Sequence, residues 1–165
     1  MTSSRFGEEL VGLLPRLRSF ARGLTRDAAD GDDLCQATIE RALNSASQWQ
    51  EGTRLEAWVY RIMRNLWIDE SRSRSRRGKT FVSEDEGIDI GNRGDAGIEA
   101  HVELGNVGRA MDKLPPDQRE AVMLVLVEGF AYKEAAEIIG CPAGTLTSRL
   151  VRGREALMRE LGEQA

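Results

Sequence analysis

Residues Tyr132 to Leu161 read YKEAAEIIGCPAGTLTSRLVRGREALMREL. Tyr132 to Ile139 has the pattern of a short amphipathic helix, and Gly140-Cys141-Pro142 breaks it. Gly140 can adopt the left-handed conformation that ends a helix, and Pro142 suits the first turn of the next one. From Ala143 onward, Leu146, Leu150, Leu157 and Leu161 fall on one helical stripe. Thr145, Ser148, Arg149 and Arg152 recur at three- and four-residue steps on a different face. Leucines behind, with short polar groups and guanidinium forks in front, are what a helix needs to read base edges in a major groove. The stretch predicts a helix–turn–helix that binds duplex DNA.

The rest of the chain is helical in pattern too. No stretch alternates as a strand does, so the expected fold class is all-α. A first helix is expected from about Glu8 to Leu24, with Leu10, Leu13, Leu14, Leu17, Phe20, Ala21 and Leu24 inward and a kink or break at Pro15. Thr25-Arg26-Asp27 offers capping oxygens to a second helix through Leu43. Within it, Gly31 is a local weakness of about 1 kcal/mol against Ala. A polar loop from Asn44 to Thr53 leads to a third helix, about Leu55 to Ser71, and to a basic low-complexity exit, SRSRSRRGK, at Ser71–Lys79. Thr80 to Gly97, rich in Gly and Asp, reads as a linker. A second domain follows, with helices at about Val102–Lys113 and Asp117–Glu128 ahead of the helix–turn–helix. The expected organisation is therefore two small helical domains, residues 1–79 and 98–165, joined by a flexible acidic linker, residues 80–97.

Charge agrees with this division. The chain of 165 residues carries a formal net charge of −4, unusual for a protein that grips DNA by itself. Residues 1–80 hold 14 basic and 11 acidic side chains, residues 81–101 one and six, and residues 102–165 eight and ten. The acidity is concentrated between the halves, so neither half strongly repels a phosphate backbone. Weak DNA affinity supplemented by a protein partner fits this distribution. Cys35 and Cys141 lie in different halves, without a CxxC and with His101 as the single histidine, so neither a metal site nor a disulfide is expected, and no cofactor. The absence of a membrane-length apolar run and of a leader-like N-terminus leads us to expect a cytoplasmic protein with no membrane insertion. No nucleophile elbow, phosphate loop or Walker-type lysine points to catalysis.

Two constellations in the first half suggest binding instead. Asp33, Gln36 and Glu40 share one face of the second helix, an acidic stripe suited either to solvent or to a basic partner helix. In the third helix, Leu55, Trp58, Val59, Ile62 and Leu66 form the expected core stripe, while Tyr60, Arg64 and Trp67 fall on another face with Arg61, Asn65 and Asp69 at its borders. Aromatic rings beside cations can stack the bases and hold the phosphates of single-stranded DNA. Arg72, Arg74, Arg76 and Arg77 just beyond strengthen that expectation.

These segments together resemble the extracytoplasmic-function sigma factors, two-domain members of the sigma-70 family of bacterial RNA polymerase. The resemblance rests on Asp33-Leu34-Cys35-Gln36-Ala37-Thr38 and on the run from Ala57 to Asp69, AWVYRIMRNLWID, in the first domain. In the second it rests on Leu114-Pro115-Pro116-Asp117-Gln118-Arg119-Glu120 and on the run from Gly140 to Leu150. It implies that Asp33, Gln36 and Glu40 meet the coiled-coil clamp of core polymerase. It implies that the loop Ser45–Arg54 and the third helix, with Asn65, capture a base flipped from the melted −10 element. Thr145, Ser148, Arg149 and Arg152 would read the duplex −35 element, the linker would thread toward the RNA exit channel, and an anti-sigma factor would hold the protein inactive. Three departures stand out: Ala131 replaces a common Ser N-cap, Thr147 a common lysine, and Gly31 softens the clamp helix. The rival readings are a free-standing helix–turn–helix regulator, which leaves the aromatic and basic third helix unexplained, and a sigma-like decoy for an anti-sigma factor, which has no use for Arg149 and Arg152.

Overall fold

The computed structural model describes residues 2–50, 52, 54–77 and 98–164; the expected linker at 80–97 lies outside the described residues. The chain divides into two compact units, residues 1–90 and 91–165, and among the described residues all regular structure is helical.

The first unit packs three helices, α1 (Thr2–Thr25), α2 (Ala28–Asn44) and α3 (Leu55–Arg77), each against the other two. Helix α1 runs through Pro15 without the expected break. Pro15 lies on the solvent side, where the Val11 carbonyl it leaves without a helical partner can be hydrated, while Leu13 and Leu17 stay buried on either side of it. Leu14, expected inward, is 37% exposed. The turn into α2 is built as its residues suggest. Asp27 caps the helix by accepting the Asp30 N–H at 2.8 Å, and Thr25 Oγ1 donates to the Ala21 and Asp27 carbonyls.

Gly31 has a different role from the one its helix propensity suggests. It is buried against α1, and a Cβ there would lie 2.6 Å from Arg22 Cγ and 2.7 Å from Arg22 Cα. The residue thus permits the two helix backbones to approach closely, a packing advantage that outweighs its cost in an isolated helix.

Helix α3 extends well past Ser71, to Arg77, so much of the basic exit is helical. Arg74 fastens it: its Nη1 lies 3.4 Å from Asp30 Oδ2 on α2, and its Nε donates to Glu70 Oε2 at 3.1 Å one turn earlier.

In the second unit α4 (Ile98–Asp112), α5 (Pro116–Val122) and α6 (Tyr132–Ile139) all pack on the long α7 (Ala143–Gln164). The helix expected over Asp117–Glu128 is shorter in its α-helical part, because Met123–Val127 widens into a π turn, with Glu128 N–H donating to the Met123 carbonyl at 2.9 Å. The wide turn leaves Leu126 and Val127 exposed and brings Phe130 back into the core. Gly140 ends α6 at φ 83°, and the N–H groups of Gly140 and Cys141 both donate to the Ala136 carbonyl. Ala131 cannot cap with its side chain. Glu134 partly makes up for this by accepting the Ala131 N–H at 3.2 Å.

On α7, Leu146 and Leu150 are buried, Leu157 and Leu161 partly so, and Gly153 continues the stripe between them. A Cβ on Gly153 would stand 2.8 Å from Val122 Cγ2 and 3.0 Å from the Gln118 carbonyl oxygen, so α5 and α7 cross in near-contact at this point.

Candidate nucleic-acid interface

Helix α3 is covered by α1 and α2 on two sides, and this widens its buried face. Leu55, Val59, Tyr60 and Met63 are buried, while Trp58, Ile62 and Leu66, expected in the core, are only partly so. Tyr60 therefore cannot serve as a base-stacking platform. It is fully enclosed, its ring centroid is 4.9 Å from that of Phe20, and the Arg16 guanidinium sits 5.7 Å from its centroid. The sequence pattern placed Tyr60 with the exposed aromatics because it assumed a core stripe one helix-width wide; a second covering helix takes the flank as well.

What α3 does expose is polar and basic. Arg61, Asn65, Asp69, Arg72 and Arg76 are exposed and fall at helical spacings on the side opposite Val59 and Met63. Arg64 and Trp67 are half-buried on the flank. Arg72 and Arg76 join Arg61 and Asn65 on one surface only because the helix continues to Arg77. The missed signal was the Glu70 and Arg74 pair at i,i+4, which supports a helix through this basic run.

The loop before α3 is anchored by aromatic side chains. After the 3-10 turn Ala46–Gln48, Trp49 packs against Phe6 at 5.6 Å between centroids, and Phe6 meets Trp58 edge-on at 6.0 Å. The start of α3 is tied down by charge: Glu56 accepts from both Arg16 of α1 and Arg54 of the loop. Burial pushes the Glu56 carboxyl up, but the two arginine hydrogen bonds outweigh it and hold the group below its ordinary value.

On α2, Asp33, Gln36 and Glu40 are all exposed, as a docking stripe requires. Gln36 and Glu40 also line a groove of about 530 Å³ with Leu14, Pro15, Arg18, Asp32, Cys35 and Ile39; Asp33 lies outside it. Neighbouring Asp32 is engaged within the unit: Arg22 donates to its two oxygens at 3.0 and 3.1 Å, and this hydrogen bonding holds the Asp32 carboxyl low. Cys35 is buried beside it, and burial raises its thiol pKa, which makes it a poor nucleophile. Cys141 is only partly buried.

On α7, Thr145, Ser148 and Arg149 are half-buried and Arg152 is exposed. Thr147, exposed, donates its hydroxyl to the Ala143 carbonyl at 3.0 Å. Arg149 is not a loose surface cation. Its Nε lies 3.5 Å from Asp117 Oδ2 at the start of α5. The structure thus provides a polar-basic surface in each unit, exposed on α3 and half-buried to exposed on α7, and an acidic stripe beside a groove in the first. Among the described residues no group of His, Cys, Asp and Glu could hold a metal ion, and no helix is long and apolar enough to cross a membrane.

Comparison with known proteins places both units. Residues 11–77 match the model of sigma-70 region 2, and residues 104–157 match that of sigma-70 region 4. The ECF RNA polymerase sigma factor EcfG of Rhodopseudomonas palustris is 40% identical over 91% of this chain and 81% of its own length. The sigma factor CarQ of Myxococcus xanthus is 30% identical over 90% of this chain and 84% of its own. Among solved structures, the sigma factor RpoE of Bartonella quintana, in complex with the anti-sigma factor NepR, superposes with a TM-score of 0.81 at 33% identity, covering 96% of this chain and 97% of that one.

Proposed function

Since the chain belongs to the extracytoplasmic-function group of the sigma-70 family, an alternative sigma factor that directs transcription initiation, we propose that its surfaces divide that task residue by residue. Asp33, Gln36 and Glu40 of α2 dock on core RNA polymerase. The exposed face of α3, Arg61 and Asn65 with Arg64 and Trp67 at its flank, holds the melted −10 strand, and Asn65 hydrogen-bonds an extruded base. Thr145, Ser148, Arg149 and Arg152 of α7 read the −35 element as duplex. Residues 1–79 then serve polymerase and the −10 element, residues 98–165 the −35 element, and 80–97 links them.

The observation that carries this reading is the pair of polar-basic helix faces, exposed on α3 and half-buried to exposed on α7, each lying in a segment matched to a sigma-70 region. The protein works as a binding factor in the cytoplasm, where polymerase is, and brings no catalytic group of its own. The Bartonella relative's complex with NepR supports control by an anti-sigma factor as well. In vitro transcription with core polymerase and genomic promoter fragments tests the assignment. Start sites should appear only when the chain is added, and should disappear when Arg149 and Arg152 are both changed to Ala. Unchanged transcription by that folded variant would remove α7 from −35 readout.

A further inference from the structure

We infer that Asp117 is a positioning residue for DNA readout, setting the guanidinium of Arg149 and sharpening its choice of base. The inference rests on Arg149 as a base reader. Three observations support it. The ion pair is made at Nε, 3.5 Å from Asp117 Oδ2, and a pair made through Nε would leave the two terminal nitrogens of the fork for a ligand. Those terminal nitrogens can donate in parallel to the O6 and N7 of a guanine.

The second observation is the framework beneath the pair. Asp117 and Arg149 stand on α5 and α7, and Gly153, one turn beyond Arg149, lets those helices touch beside Gln118, the residue next to Asp117. The register of carboxylate and guanidinium is therefore fixed by backbone packing. A long, flexible side chain held in this way loses less freedom when it meets its base.

The third is charge. The Asp117 side chain is 53% exposed beside Arg149, so a duplex docked on that face would bring its phosphates toward the carboxylate. That repulsion is paid on every sequence, whereas the preset fork is rewarded only where the matching base is present. A uniform penalty with a sequence-dependent gain increases discrimination.

The test uses the full chain with core polymerase and a promoter fragment carrying a randomised −35 element. Selection with the unaltered protein and with Arg149→Ala identifies the position that Arg149 reads. At that position Asp117→Asn should reduce discrimination by about tenfold. It should also bind fragments lacking a −35 element more tightly and keep its melting temperature. Asp117→Glu should restore much of the preference, and adding Asp117→Asn to Arg149→Ala should change preference no further. A folded Asp117→Asn protein with unchanged preference at that position overturns the inference, as does an equal loss of preference at all −35 positions. If Arg149→Ala alters no base preference, the base-reading role fails first, and the positioning role falls with it.

Discussion

A Cβ on residue 31 would press on the Cα of Arg22 at 2.7 Å, an atom that cannot yield unless α1 itself shifts. Gly31→Ala should therefore lower stability by about 1–3 kcal/mol, the cost of overpacking, despite the better helix propensity of alanine. Thermal denaturation of the full chain checks the sign. Glu56 supplies a second test. Its carboxyl is depressed in the folded protein because hydrogen bonds from Arg54 and Arg16 outweigh the effect of burial. A depressed carboxylate contributes stability that is complete above its unfolded value of about 4.3 and fades as pH falls through the lower folded value. Glu56→Gln should thus flatten the acid limb of the stability–pH curve below about pH 4.3 while changing little of its slope near neutrality. An acid limb as steep as that of the parent would place the stabilisation elsewhere. Neither residue's role was legible in the sequence. Propensity and charge are local, whereas Gly31 answers to Arg22 and Glu56 to Arg16, partners on another helix. Tyr60 was misassigned for the same reason: burial on its side depends on a helix that the 3.6-residue period of α3 says nothing about.

Individual helices were more legible than their margins. The capped start of α2, the left-handed Gly140 and the leucines of α7 follow from residues close in sequence, and the structure has them as the pattern requires. The failures lie at Pro15, which the helix tolerates on its solvent side, at the exit of α3, which Arg74 ties both to Glu70 one turn earlier and to Asp30 on α2, and at the π turn. The stripe of Asp33, Gln36 and Glu40 is an element-scale claim, because one exposed face of one helix is proposed to make one contact. Asp33→Ala with Gln36→Ala removes two exposed side chains that the fold does not use for packing. The double variant should bind core polymerase about tenfold or more weakly, with helical content and melting temperature near those of the parent. Co-sedimentation with core enzyme beside circular dichroism separates the two readouts, and normal core binding by a folded variant would assign polymerase docking to another surface.

At the scale of the whole molecule, net charge and division of labour point the same way. A chain of net charge −4 whose net acidity lies between two near-neutral halves has little long-range pull on DNA, so the two faces proposed to bind DNA need a scaffold that holds them on one promoter. Core polymerase supplies that scaffold. Two unlike polar-basic faces, those proposed for separated strands and for duplex, could be picked out in the sequence, apart from Tyr60, because each is made of residues close together on a single helix. How one protein uses both was legible only through the family resemblance. The most direct test of the account is permanganate footprinting of a cognate promoter with the chain alone, core polymerase alone, and both together. The account predicts reactive thymines across the −10 element only when both are present, with reactivity reduced by Asn65→Ala while −35 protection persists. Tight, sequence-specific duplex protection by the chain alone at physiological salt, with no strand opening when core enzyme is added, would contradict it.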